Sequence, residues 1–92
     1  MRKERTNTII ALLDSILKEH CLHRYYSLNG YAEAAVCLEK SDNGWEVFNG
    51  ERNNHYGSSF FEDAKDASVE LLRRLDSELV IEFEDILKKK GL

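Results

Sequence analysis

Between Ile9 and Leu17 the apolar residues Ile9, Leu12, Leu13, Ile16 and Leu17 recur at three- and four-residue steps, with Ala11, Asp14, Ser15, Lys18 and Glu19 on much of the other side. This is the period of one helical face. It predicts a helix from Thr8 to about Cys21, with Thr6, Asn7 or Thr8 supplying the N-cap oxygen. Beyond it the period drops to two. Tyr25 to Leu28 reads as a first strand, Asn29-Gly30 as a hairpin turn, and Tyr31 to Lys40 as a second strand. On that second strand the Ala34, Val36 and Leu38 side faces a core, while Glu33, Ala35, Cys37 and Glu39 alternate on the opposite side. Asp42-Asn43-Gly44 turns the chain into a third strand, Trp45 to Asn49, with Trp45 in the core. Gly50 to Asn54 is polar and loop-like, which puts Glu51-Arg52 at a tip or on an edge. Tyr56 to Phe61 forms a fourth strand with Phe60 pointing inward.

The period then returns to that of a helix. Glu62-Asp63 caps a stripe of Ala64, Ala67, Leu71, Leu72 and Leu75, and Asp76-Ser77 is a plausible break before a last segment. One long helix and two shorter ones both fit. In the last segment Leu79, Val80, Ile81, Phe83, Ile86 and Leu87 are apolar on more than one side. Either this helix lies deep between two layers or it packs on a second copy of itself. Lys88-Lys89-Lys90 suits the C-terminal end of its dipole, and Gly91 ends it. The resulting fold class is α+β, within one domain spanning residues 1–92. An N-terminal helix precedes a small antiparallel sheet of three to four strands, and a C-terminal helix or helix pair packs on one sheet face.

Composition narrows the functional classes. Apolar residues at 42% and charged residues at 33% of a 92-residue chain describe a folded domain rather than a disordered tail. The formal net charge of −4 argues against nucleic-acid binding, which needs a basic face. An acidic domain meets a basic protein more naturally, because long-range attraction speeds that encounter. No apolar run has the length of a membrane span, and the amphipathic stretch after the basic start does not read as a secretory signal. Two isolated cysteines, Cys21 and Cys37, then point to a reduced, cytoplasmic setting, with Cys37 a small core residue.

No catalytic constellation stands out, and no metal or other cofactor is expected. His20-Cys21-x-His23 gathers potential ligands, but no second ligand pair completes a structural zinc pattern, so the group reads as helix-end residues. A nucleophilic pairing of Cys37 with His55 or His20 would need an exposed thiolate, and Cys37 lies between apolar neighbours. Glu33, Glu39, Glu46 and Glu51 could pair for acid–base work, yet carboxylates on strands more commonly keep a sheet face or edge from aggregating. Glu78, Glu82 and Asp85 share one stripe of the last helix, a solvated face or a docking surface for a basic partner. Tyr25, Tyr26, Tyr31 and Tyr56 are numerous for so small a sheet, and exposed tyrosines make good interface anchors.

One resemblance adds to this reading. Leu38-Glu39-Lys40, then Gly44-Trp45-Glu46-Val47, then Glu51-Arg52-Asn53, an acidic helix start and the run Ala67, Leu71, Leu72, Leu75 together resemble small bacterial immunity proteins. These belong to polymorphic-toxin and contact-dependent growth inhibition systems. The resemblance spans about Tyr26 to Leu75 and implies a non-catalytic cytoplasmic antitoxin that neutralises one cognate toxin domain, often a nuclease. Such families share no functional residue, so none is carried over. The partner-binding residues expected from the chain itself are the carboxylates Glu46, Glu51, Glu78, Glu82 and Asp85, the neighbouring Arg52, and the aromatic anchors Tyr31 and Tyr56. The alternative is a homodimeric structural or regulatory subunit joined through its last helix.

Overall fold

A computed structural model describes residues 2–20 and 25–92. Its elements in chain order are α1 (Arg2–Glu19), β1 (Tyr26–Ser27), β2 (Ala35–Ser41), β3 (Gly44–Glu51), β4 (Asn54–Phe61), α2 (Ala64–Leu75) and α3 (Glu78–Lys89). The strands lie in the order β1-β2-β3-β4, and all three helices belong to one side of the sheet. This is the expected α+β architecture. α2 lies on β2, β3 and β4, while α1 and α3 pack against α2 and each other. Ile9, Leu13, Ile16 and Leu17 of α1 meet Leu38 and Val47 of the sheet, Leu71 and Leu72 of α2, and Leu79, Phe83 and Leu87 of α3 in one buried core.

Several local features depart from the sequence reading. α1 begins at Arg2, well before the expected caps, and Thr8 lies inside it with Oγ1 donating to the Glu4 carbonyl at 2.9 Å. Tertiary partners hold its early turns: Arg5 donates from Nη1 to Asp63 Oδ1 at 3.1 Å and from Nη2 to the Leu92 carbonyl at 3.3 Å. Asn29-Gly30 makes no hairpin. β1 pairs with β2 in parallel, Tyr26 opposite Val36, so the sheet is mixed. Between them residues 28–34 reach sideways to β3, where Ala34 donates to the Gly50 carbonyl at 2.9 Å. Ala34 therefore sits in an exposed turn with φ 59 instead of facing the core. Gly50 is required under this crossing, because a Cβ there would stand 2.2 Å from the Ala32 carbonyl oxygen.

The hairpin from β3 to β4 is tighter than expected. Arg52 and Asn53, with φ 52 and 64, form a two-residue turn, and Glu51 pairs with Asn54. Nearer the other end of β4, Val47 pairs with Ser59 but Asn49 pairs with Tyr56, so β4 carries one extra residue. Gly57, at φ 62, supplies the left-handed conformation this bulge needs. The bulge overturns the expected orientation of Phe60. A slip of one residue exchanges the two faces of a strand, so Phe61 packs toward the core and Phe60 is 68% exposed on the other side.

Asp76 has an extended backbone and separates α2 from α3, which settles the C-terminal region as two helices. Asp63 caps α2, accepting from the Lys65 amide at 3.3 Å. At α3 the donor to be satisfied is the Glu78 amide, and it is taken by Asp76 Oδ1 at 3.1 Å and not by Ser77. α3 is not sandwiched between layers. Leu79, Phe83 and Leu87 are buried, Val80 and Ile86 half-buried, and Ile81 stands 73% exposed. Trp45 lies at the rim of the core, half-buried, with Lys40 Nζ 4.7 Å from its ring centroid. No described helix is long and apolar enough to cross a membrane.

Candidate binding face on the open side of the sheet

The face away from the helices is organised around a second, smaller cluster. Alternation along β2 and β3 sends Ala35, Cys37 and Phe48 to this side, where all three are buried beneath Tyr31 and Ala32. His55 completes the cover. Its ring lies parallel to Phe48, with centroids 3.6 Å apart and an interplanar angle of 2°. The Cys37 thiol is pushed above its ordinary pKa by burial and is inaccessible, which removes it as a nucleophile paired with His55.

Around this cluster the polar groups bond to one another. His55 Nδ1 lies 2.9 Å from Glu46 Oε2, and Ser58 Oγ donates to the same carboxylate oxygen at 2.6 Å. Burial alone would raise the Glu46 pKa, but the hydrogen bonds from Ser58 and His55, with the His55 charge, outweigh it and hold the carboxyl below its usual value. Glu39 is directly opposite Glu46 in the register and shares its face. At the hairpin end, the Tyr31 hydroxyl donates to Glu33, and the Asn53 amide donates to the Tyr31 oxygen at 2.7 Å. The Arg52 amide donates to both Glu33 oxygens, at 3.0 and 3.1 Å. These bonds, that from Tyr31 foremost, hold the Glu33 carboxyl below its usual pKa. They also restrain a turn whose two left-handed residues are not glycine.

The eight residues expected to bind a partner are thus dispersed. Tyr31 and Glu46 share the open face, and Glu51 and Arg52 stand at the neighbouring hairpin tip. Tyr56 pairs with Asn49 and is exposed along the edge strand. Glu78, Glu82 and Asp85 belong to α3, in the helical layer on the opposite side. Glu82 already has a neighbour, His20, whose Nε2 lies 3.5 Å from Oε2. Cys21 and His23 fall outside the described residues.

No family model, curated protein or solved structure matches this chain. What the open face can do follows from its own geometry. Sequence reasoning missed His55, Ser58 and Phe60 as members of that face. The first could have been found: a two-residue turn at Arg52-Asn53 places His55 opposite Gly50, on the same side as Phe48 and Glu46. Ser58 and Phe60 depend on the bulge at Gly57, and a lone glycine in a strand was its only signal.

Proposed function

We propose that this protein is a non-catalytic binding module that neutralises a cognate basic toxin domain, occupying it with the open face of the sheet. The observation carrying this reading is that the helices cover only one face, while the other presents exposed Phe60 opposite Glu46 in the register, with Glu39, His55 and Tyr31 on the same face. A sheet face left open by the helices, with an exposed aromatic side chain next to carboxylates, combines the apolar and polar groups that protein interfaces use. The acidic balance of the chain favours a basic partner, and the resemblance of the strand–turn–strand region to immunity proteins supports a toxin as that partner.

The test is complex formation with the product of the adjoining gene, followed by stopped-flow association and competition measurements. Phe60→Asp should weaken the complex by about 2 kcal/mol or more, the scale of an aromatic anchor buried on binding, chiefly through faster dissociation. Replacing Glu78, Glu82 and Asp85 together by alanine should slow association modestly and reduce its salt dependence, leaving dissociation unchanged. A complex indifferent to Phe60→Asp, or no complex at all, would refute the assignment.

A further inference from the structure

We infer that Glu39, Glu46 and His55 form a binding site for one divalent transition-metal ion of the zinc class. The three residues come from β2, β3 and β4, so three hydrogen-bonded strands hold them side by side. One ligand atom from each lies within 4.8 Å of the other two. Ligands bound tetrahedrally at ~2.0–2.1 Å from zinc stand roughly 3.3 Å apart. His55 Nδ1 and Glu46 Oε2, separated by 2.9 Å, are near that spacing, and rotation of the Glu39 side chain brings in the third donor.

Charge and orientation point the same way. Glu39 and Glu46 are directly opposed across adjacent strands, where two like charges repel. Neither a hydrogen bond nor an ion pair among the described residues reaches the Glu39 carboxylate, and the Glu46 side chain is only 12% exposed. Two carboxylates with a neutral imidazole carry a double negative charge, matched to a divalent cation. The imidazole selects against calcium and magnesium, which take oxygen ligands, and favours zinc and its neighbours. The parallel stack on Phe48 fixes the plane of the His55 ring, doing for its nitrogen what an outer-shell contact does in a built metal site. Because the face is open, the remaining coordination positions point to solvent.

The site shares Glu39, Glu46 and His55 with the docking face, but the two readings are tested apart: zinc binding is measured on the isolated chain and partner binding in the presence of a chelator. Calorimetric titration of zinc chloride into the protein near neutral pH should give saturable one-to-one binding, with magnesium chloride giving none. His55→Phe keeps the aromatic stack and removes the nitrogen; Glu39→Gln keeps the shape and removes the charge. Each should weaken zinc binding by about tenfold or more, and the ring signals of His55 should shift with zinc in the nuclear magnetic resonance spectrum. Absence of saturable binding, or full affinity retained in either folded variant, would overturn the inference.

Discussion

On the helix-bearing face of the sheet, Leu38 and Val47 are sealed by aliphatic side chains from three helices. On the other face, Cys37 and Phe48 are equally inaccessible, yet their cover is a short loop, a tyrosine and a histidine. The first face excludes water by mass. The second does so with side chains whose polar edges remain turned outward and bonded to each other. Hydrophobic burial needs only the right volume and tolerates many sequences, whereas a thin polar cover needs particular residues at particular positions. That contrast makes the thin side the one whose cover depends on particular residues, and the proposed docking and metal sites both lie there.

The largest test of the contrast compares two phenylalanines, both fully buried. Phe83→Ala opens a cavity beneath three helices and should cost about 3–5 kcal/mol, much of the stability of a small domain. Phe48→Ala should cost less, about 3 kcal/mol at most, because Tyr31 and His55 can settle into the space. Denaturant unfolding of both variants measures the difference. Equal losses would make the open face a second full core and dissolve the distinction.

A smaller effect is expected where the two faces are locked in phase. Arg74 of α2 reaches the bulge, donating from Nη2 to the Gly57 carbonyl at 2.6 Å and to Ser59 Oγ at 3.2 Å. Its Nε donates to Glu70 at 2.8 Å, which aims the guanidinium. The bulge decides which of Phe60 and Phe61 enters the core, so Arg74 ties the composition of the open face to the helix on the closed one. Arg74→Met keeps the apolar stem and should cost about 1.5–3 kcal/mol, the scale of hydrogen bonds to a charged group. Amide hydrogen exchange should quicken first around Tyr56 to Ser59. Uniform loss of protection would show that the bulge holds its phase without the arginine.

The same contrast explains what could be read from the residues alone. The helices and the three long strands were legible because Ile9 to Leu17, Ala64 to Leu75 and the alternation through Val36, Leu38 and Val47 all answer to one large core. The carboxylates Glu39 and Glu46 were visible as candidates, and their pairing follows from the short turn between β2 and β3. The parallel β1 was not legible, because Asn29-Gly30 carries a strong local hairpin signal that longer-range bonds override. Gly30 donates to the Leu38 carbonyl at 3.0 Å, and Val36 donates to that of Tyr25 at 2.9 Å. Nor was the placement of Ser58 and Phe60, which rests on a single bulge, whereas His55 needed only a two-residue turn at Arg52-Asn53. Periodicity reports burial in a thick core. It says little about a face whose cover is one side chain deep.

The finest test uses two tyrosine–carboxylate pairs, one for each face. Tyr26 donates to Asp14 Oδ1 at 2.9 Å at the rim of the helix-bearing side, and Tyr31 donates to Glu33 on the open side. Burial first, and then the Asp14 hydrogen bond and charge, push the Tyr26 phenol from 10.0 up to about 12. The Tyr31 phenol is raised as well, but there the bond to Glu33 leads and burial follows. A phenol that holds its proton more tightly folded than unfolded stabilises the fold fully below pH 10.0, and this stabilisation drains away as pH rises toward about 12. Stability should therefore fall across that window in the parent protein, and Tyr26→Phe should flatten the decline more than Tyr31→Phe. Added salt should weaken the Tyr31 contribution more, since its pair lies in solvent. If the two variants flatten the alkaline limb equally and respond alike to salt, the rim of the closed face is as wet as the open one, and the difference between the faces is confined to their centres.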